Sequence, residues 1–271
     1  MMGSLGSPNE FDLFQKRHFQ KVEERQFKWL TQNLYIVEKE KQLLLEILKE
    51  KPKRILEVGC GEGANLVNLK KFGFKGEITG VDLSKAKISF AQKKISFAKL
   101  IEANAYSLPF ESEQFDLVFC KNVLHHLANK EKAISEMARV CRVGGKVIII
   151  EGNGRNILII LFGNLFPIEK NQLESTPENI SSLIEGEKFL KIDKVFLAEP
   201  FNLFRALFHH RFGFPGLVRC GKTWLKIDKF FSRFIPQSQY GYIVIRAKRL
   251  SKPSKFESLR GEKEKPAERE E

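Results

Sequence analysis

The sequence predicts an α/β protein whose mostly parallel sheet is covered by helices on both faces. Three observations carry that prediction. Short apolar runs alternate with amphipathic stretches from Arg54 to Asn153. One of these runs, "RILEVGCGEG", opens directly into a glycine turn. The hydrophobic share of 42% over 271 residues is enough to bury a core of one domain.

The elements follow in order. Residues 1–12 read as a flexible stretch, and 13–52 as an N-terminal helical lid. Helical, charged periodicity runs from Phe14 to about Glu50, with a break near Thr31–Asn33, and "EKEKQLLLEILKE" stops at Lys51-Pro52 because proline cannot continue a helix. The main domain spans 53–250. In it "ILEV" is a strand, Ala64–Phe72 a helix, "EITGVDL" a strand, Ser84–Ala98 a helix and "LIEAN" a short strand. "FDLVFCKN" is the fourth strand, "LANKEKAISEMARVC" a helix and "GGKVIIIEGN" a strong strand. Beyond Asn153 the rhythm changes: Ile157–Phe166 is apolar, Thr176–Glu187 is a helix begun by Thr-Pro, and Phe189–Leu197 is a strand. A cap insertion occupies about 200–238, and "YGYIVIRAKR" closes the domain as a strand. The Lys/Glu/Pro-rich segment 251–271 has the composition of a disordered tail.

Composition excludes several classes. Cys60, Cys120, Cys141 and Cys220 lie far apart with no C-x-x-C pair, which argues against a cysteine zinc site or a disulfide framework and fits a reducing cytosol. "MMGSLGSPNEFDLFQ" lacks the basic and apolar regions of a secretory signal. The longest apolar run, Ile157–Phe166, falls well short of the roughly 20 residues a spanning helix needs. The net charge of +13 is uneven: Arg205–Arg249 holds ten Lys/Arg against one acid, Asp228, whereas the tail is balanced. Such a local excess favours an anionic partner.

The chemistry concentrates at the carboxyl ends of the predicted strands, where open α/β sheets bind ligands. Gly59, Gly61 and Gly63 allow the backbone to approach a ligand without Cβ interference, and Asp82 ends the next strand, where a carboxylate can accept hydrogen bonds from a ribose diol. Alone, these residues also satisfy a loose dinucleotide fingerprint. "SLPF", "FDLVF", "HHL" and "ARVCRVGGKVIII" follow in order. With them the chain resembles a class I S-adenosylmethionine-dependent methyltransferase of the small-molecule-type branch, strongly over about Arg54–Glu151. A dinucleotide oxidoreductase explains the glycines and Asp82 but not the later series.

The resemblance implies a Rossmann-like, doubly wound sheet of seven strands, S-adenosyl-L-methionine as cofactor, and residue roles. Glu57, Gly59 and Gly61 match the loop around the methionine moiety and ribose, Asp82 the acid on the ribose hydroxyls, and Asn104 and Ala105 the pair flanking adenine. Many relatives carry Asp where Asn104 stands. Cys120, Lys121 and Asn122 would line the methyl-donor end. His125 and His126 are the candidate bases for an oxygen or carbon acceptor, against the alternative that they only pack at a helix start. "CKNV" is not the signature of exocyclic-amine methylation, and no Pro-Cys nucleophile of the cytosine-C5 type is present. No metal is expected.

Other segments carry two readings each. Trp29 could cover the cofactor or anchor its helix, and His209-His210 could touch substrate or be an exposed pair. In "RCGKTWLKIDKFFSRF", Lys222, Lys226, Lys229 and Arg233 share one helical face, and Cys220, Trp224, Ile227 and Phe231 the opposite one. Aromatics opposite the lysines favour an interface, either the enzyme's own pocket or an anionic membrane, over RNA, which would want both groups on one surface. The expected acceptor is a small or lipid-linked molecule, and the expected location cytoplasmic, with peripheral placement on the inner membrane face in the membrane reading. An RNA methyltransferase and a non-catalytic cofactor-binding protein are the alternatives.

Overall fold

The computed structural model describes residues 21–199 and 221–251. The expectations for 1–12, for 252–271, for His209-His210, for Cys220 and for the first part of the cap insertion lie outside the described residues.

Two N-terminal helices, α1 (Glu24–Gln32) and α2 (Leu34–Lys49), are separated at Asn33. Its Oδ1 accepts a hydrogen bond from Ile36 N at 3.2 Å, so one residue ends the first helix and caps the second. Then β1 (Arg54–Val58), α3 (Ala64–Lys71), β2 (Glu77–Asp82), α4 (Lys85–Lys94) and β3 (Ala98–Glu102) alternate as expected. The helix predicted to reach Ala98 ends at Lys94. Ile95 is buried in extended backbone, with its Cδ1 held over Gly63, so the chain leaves the helix to fill that contact. Next come β4 (Phe115–Lys121), a 3-10 turn (Leu124–His126), α5 (Lys130–Val140) and β5 (Cys141–Gly152).

The remaining elements are α6 (Ile157–Leu165), a 3-10 segment (Pro167–Glu174), α7 (Pro177–Glu185), β6 (Leu190–Ala198), α8 (Gly221–Phe231) and β7 (Tyr242–Arg249). The α7 helix starts where Thr176 caps Asn179 N and Pro177 occupies the first turn.

The seven strands lie in the order β3-β2-β1-β4-β5-β7-β6. Every pair from β3 through β5 is parallel, and β7 runs antiparallel to both neighbours. This is the doubly wound, mostly parallel sheet the sequence predicts. Strand order reverses between β1 and β4, which places a crevice beyond their carboxyl ends.

Each sheet face has its own core. Leu56, Val118, Ile149 and Ile245 pack on one face with Ile134 and Met137 of α5 and Ile180 and Ile184 of α7. Ile55, Leu117, Phe119, Ile148 and Val244 pack on the other with Leu43, Leu44 and Ile47 of α2 and Leu66 and Leu69 of α3. Near the strand ends both faces turn from aliphatic to ionic: buried Glu57 and Lys121 continue the alternation on the α2 side, and buried Glu151 does so on the α5 side. Cys60, Cys120 and Cys141 are free and buried. Among the described residues no helix is long and apolar enough to cross a membrane.

Candidate active site

The glycine turn begins where β1 ends. Gly59, Gly61 and Gly63 have φ of 75°, 53° and 80°, left-handed backbone that side chains disfavour. Their reasons differ. A Cβ on Gly59 would lie 2.4 Å from Val123 Cγ2, and one on Gly63 2.4 Å from Ile95 Cδ1, so those two positions are closed by packing. At Gly61 a Cβ would meet nothing within 4 Å, and the backbone there faces open space. The turn is fastened to β2 by Gly59 N and Cys60 N, which donate to Val81 O at 2.8 and 2.9 Å. Asp82 completes the fastening: Oδ2 accepts from Gly61 N and Oδ1 from Ser84 N, each at 2.8 Å. Each carboxylate oxygen keeps a second lone pair for a hydroxyl donor.

Below this turn sits a layer of buried charge whose members carry no mutual signal in the sequence. Glu57 is fully buried; its Oε1 accepts from Asn65 Nδ2 at 2.6 Å, and its Oε2 has no hydrogen-bond partner. Burial pushes its carboxyl up to about 8; Asn65 and Lys121 act against that rise, and Asp82 and Glu40 add to it. Lys121, expected at the methyl-donor end, instead turns toward α2, with Nζ 2.7 Å from Glu40 Oε2. The neighbouring Lys39 pairs with Asp228 of α8 at 2.5 Å, with both side chains buried. Two adjacent residues of α2 therefore tie the sheet to the cap helix.

The other predicted positions divide. Asn122 has φ 54° and a buried Oδ1 with no hydrogen-bond partner, so a second open acceptor follows β4 beside the turn. Cys120 does not face the crevice: its side chain belongs to the aliphatic core, and burial pushes its thiol well up. Asn104 is exposed, and its Oδ1 accepts from Tyr106 N at 2.9 Å, closing a local turn. Ala105 packs against the core beside it. Tyr106, which sequence reasoning passed over, has its hydroxyl accepting from Ala128 N and Asn129 N at 2.9 and 3.2 Å, joining this loop to the start of α5.

His125 and His126 lie on the α5 side of the sheet, in the turn that follows β4. Glu151 Oε1 accepts from Val123 N and Leu124 N, both at 2.7 Å, and its Oε2 lies 2.6 Å from His125 Nδ1. Glu169 Oε2 lies 3.4 Å from His125 Nε2. Burial disfavours an imidazolium here, but the two carboxylates outweigh it and push His125 up to about 9. His126 is half-buried, its ring centroid 3.8 Å from that of His125.

The N-terminal helices contact the glycine turn and α3. Glu23 N donates to Glu62 Oε1 of the turn at 3.0 Å, and Asn68 Nδ2 of α3 donates to Leu30 O at 3.0 Å. Trp29 packs with Leu30, Trp224 and Leu225 around Tyr35 and Ile36.

The group implied by the resemblance carries an ammonium, a ribose diol and an adenine. Open acceptors on Glu57 Oε2 and Asn122 Oδ1 suit the ammonium, Asp82 suits the diol, and the space beside Gly61 admits a ligand against the backbone. These residues fit.

Comparison with known proteins agrees. Residues 56–149 match the family model of a methyltransferase domain. A ubiquinone/menaquinone biosynthesis C-methyltransferase of Campylobacter jejuni is 26% identical over 55% of this chain and 72% of its own length. A phosphatidylethanolamine N-methyltransferase of Cereibacter sphaeroides is 33% identical over 38% of this chain and 52% of its own. The crystal structure of a methyltransferase from Thermotoga maritima, described as a possible histamine N-methyltransferase, shares the fold with a TM-score of 0.60 at 18% identity, covering 86% of this chain and 99% of that one. Residues 56–149 are thus a methyltransferase domain, and the seven-stranded fold and the glycine turn with its acid resemble those of the class I S-adenosylmethionine-dependent methyltransferases.

Proposed function

We propose that this enzyme methylates an oxygen or carbon of an amphipathic small molecule, held at or drawn from an anionic membrane surface. The bound S-adenosylmethionine supplies a methyl group already activated by its sulfonium, so the protein's task is to position the partners and exclude water. In this reading Glu57 and Asn122 hold the ammonium, Asp82 the diol and Gly61 the approach of the backbone, with Asn104 and Ala105 beside the adenine. Lys121 acts by fixing Glu40 and α2 in the layer of charge below the turn. His125 and His126 stand across β4 from these groups, on the acceptor side.

The observation that carries the membrane part is an outward surface of mixed character. Phe230, Phe231 and Phe234 are 54%, 53% and 72% exposed, among exposed Lys226, Lys229 and Arg233. The Phe231 expected on the inner face is thus outside; α8 instead turns Gly221, Trp224, Leu225 and Asp228 inward, a narrower stripe anchored by the ion pair to Lys39. A second apolar surface, Ile157, Ile160, Leu161 and Leu165 of α6, is exposed as well. The two segments are joined where Asn156 Nδ2 donates to Gln239 O at 2.6 Å and Ile157 N donates to Gln239 Oε1 at 3.0 Å. Inserting one phenylalanine gains about 1.5–3 kcal/mol, and each lysine or arginine near anionic lipid about 1 kcal/mol. A relative named for carbon methylation in ubiquinone/menaquinone biosynthesis and one named for phosphatidylethanolamine support an amphipathic acceptor, the first also a carbon acceptor atom.

RNA is the second reading, because phenylalanines and lysines do share one surface here. The aliphatic face of α6 favours lipid. Flotation with anionic and neutral vesicles at low salt tests the choice. Binding to anionic vesicles, reduced at least tenfold by Phe230→Ser with Phe234→Ser, is expected. No flotation, together with RNA binding that the same pair of substitutions weakens, would reverse the assignment.

A further inference from the structure

We infer that His125, His126 and Glu169 form a binding site for one divalent transition-metal ion of the zinc type. Their donor atoms all lie within 4.8 Å of one another. The two histidines come from the turn after β4, and Glu169 comes from the 3-10 segment packed against it, so the set is brought together by the fold.

The geometry around His125 is that of a prepared ligand. Its Nδ1 faces Glu151 at 2.6 Å, and Glu151 is itself fixed by two backbone N–H groups. With the proton on Nδ1 the Nε2 lone pair points the other way, the arrangement in which a carboxylate orients a metal-bound imidazole through its far nitrogen. Nε2 is buried and makes no hydrogen bond of normal geometry. Its separation from Glu169 Oε2, 3.4 Å, exceeds the roughly 2.7–2.9 Å of a charge-assisted hydrogen bond. It equals the edge, about 3.4 Å, of a tetrahedron whose ligands stand roughly 2.1 Å from the ion. His126 lies beside it, the two ring centroids 3.8 Å apart, which keeps its donor nitrogen within the same 4.8 Å.

The donor set selects the ion. Two imidazoles and one carboxylate suit zinc, cobalt or ferrous iron, whereas calcium and magnesium require mostly oxygen ligands. Two carboxylates around His125 give the pocket a negative balance, and the ion would take the place of a proton on Nε2. A cavity of about 550 Å³ lined by His125, Glu131, Glu174 and Ser175 adjoins the first of the three ligands. Three protein ligands leave one position open, as in catalytic rather than structural sites. That this position would bind an acceptor oxygen rests on the methyltransferase reading; the binding of the ion does not.

The test is titration of untagged, chelator-treated full-length protein with Co²⁺, read by visible absorption and by metal content after dialysis. One equivalent per chain is expected, displaced by Zn²⁺. His126→Ala and Glu169→Gln should each weaken binding at least tenfold, and Glu151→Gln by about 10–100-fold. Circular dichroism confirms folding; Glu169 is partly exposed, so its variant folds whatever becomes of His126→Ala. Absent cobalt binding, or binding unchanged by both Glu169→Gln and His126→Ala, overturns the site. Calorimetry with S-adenosylhomocysteine on the same metal-free sample reads the donor site separately, so loss of the ion site alone leaves the methyltransferase reading standing.

Discussion

Replacing Glu57 by glutamine separates two consequences of one buried carboxyl. In the free protein the carboxyl is pushed up to about 8, so at neutral pH it is mostly protonated. The substituted amide can still accept from Asn65, but it presents an NH₂ where Oε2 now stands, and that NH₂ would face the ammonium donor to donor. The folded pKa is raised, so the folded state holds a proton that the unfolded chain, near 4.3, has lost. Wild-type stability therefore falls as pH rises from about 4.3 to about 8 and levels off above, while the variant has no such slope at this site. Between pH 5.5 and 7.5 the variant should gain on the wild type by up to about 1.4 kcal/mol per pH unit. Cofactor binding changes in the opposite sense. A charge-assisted bond to the ammonium is worth about 1.5–3 kcal/mol, but ionising Glu57 first costs about 2.7 kcal/mol at pH 6 and under about 0.5 kcal/mol at pH 8. Affinity for S-adenosylhomocysteine should thus be similar in both proteins at pH 6 and differ by about tenfold or more at pH 8. Urea denaturation and calorimetry at several pH values measure both. Parallel stability curves, together with an affinity ratio that does not change with pH, would refute the burial of an ionisable, ligand-facing Glu57.

Asp82→Ala should weaken S-adenosylhomocysteine binding by about 1–3 kcal/mol and lower stability too, since Gly61 N and Ser84 N lose their acceptor. Calorimetry showing unchanged affinity would remove Asp82 from the donor site. Lys39→Met should destabilise the fold by about 3–5 kcal/mol by leaving Asp228 buried without its counter-charge, and adding Asp228→Leu should restore most of the loss. Urea denaturation of the single and double variants decides it; additive losses would contradict a pairwise origin.

The sheet was legible because its signals are local. Short apolar runs, the glycine turn, the helix break near Asn33 and the Thr176-Pro177 helix start each act within a few residues. The glycines and Asp82 were legible for the same reason. What escaped was the pairing of charges distant in sequence. Lys39 and Asp228 are 189 residues apart, and in the sequence both look like members of solvated faces. Lys121 was expected at the methyl-donor end because it follows the strand core, yet alternation sends it to the α2 face, and it is Asn122, in left-handed backbone, that keeps an open acceptor beside the turn. Cys120 was assigned to the site by position alone, and the same alternation places it in the core. Glu169 had no sequence signal, because its relation to His125 exists only once the segment 167–174 packs on the turn after β4.

The basic helix α8 shows how one charge decides ownership. The apolar residues of α8 that are withdrawn from solvent, Trp224, Leu225 and Ile227, are each still partly exposed and bury little to hold it in place. Asp228 changes that, because burying it commits the helix to Lys39: the pair is stable together and costly to separate. Lys39 is next to Glu40, and Glu40 holds Lys121 beside the buried carboxyl of Glu57. The inner side of α8 thus belongs to the same layer of charge that underlies the donor site. That ion pair, with Trp224 and Leu225 packed against Tyr35 and Ile36, fixes the inner side of α8, and its outer side carries the exposed Lys226, Lys229, Phe230 and Phe231.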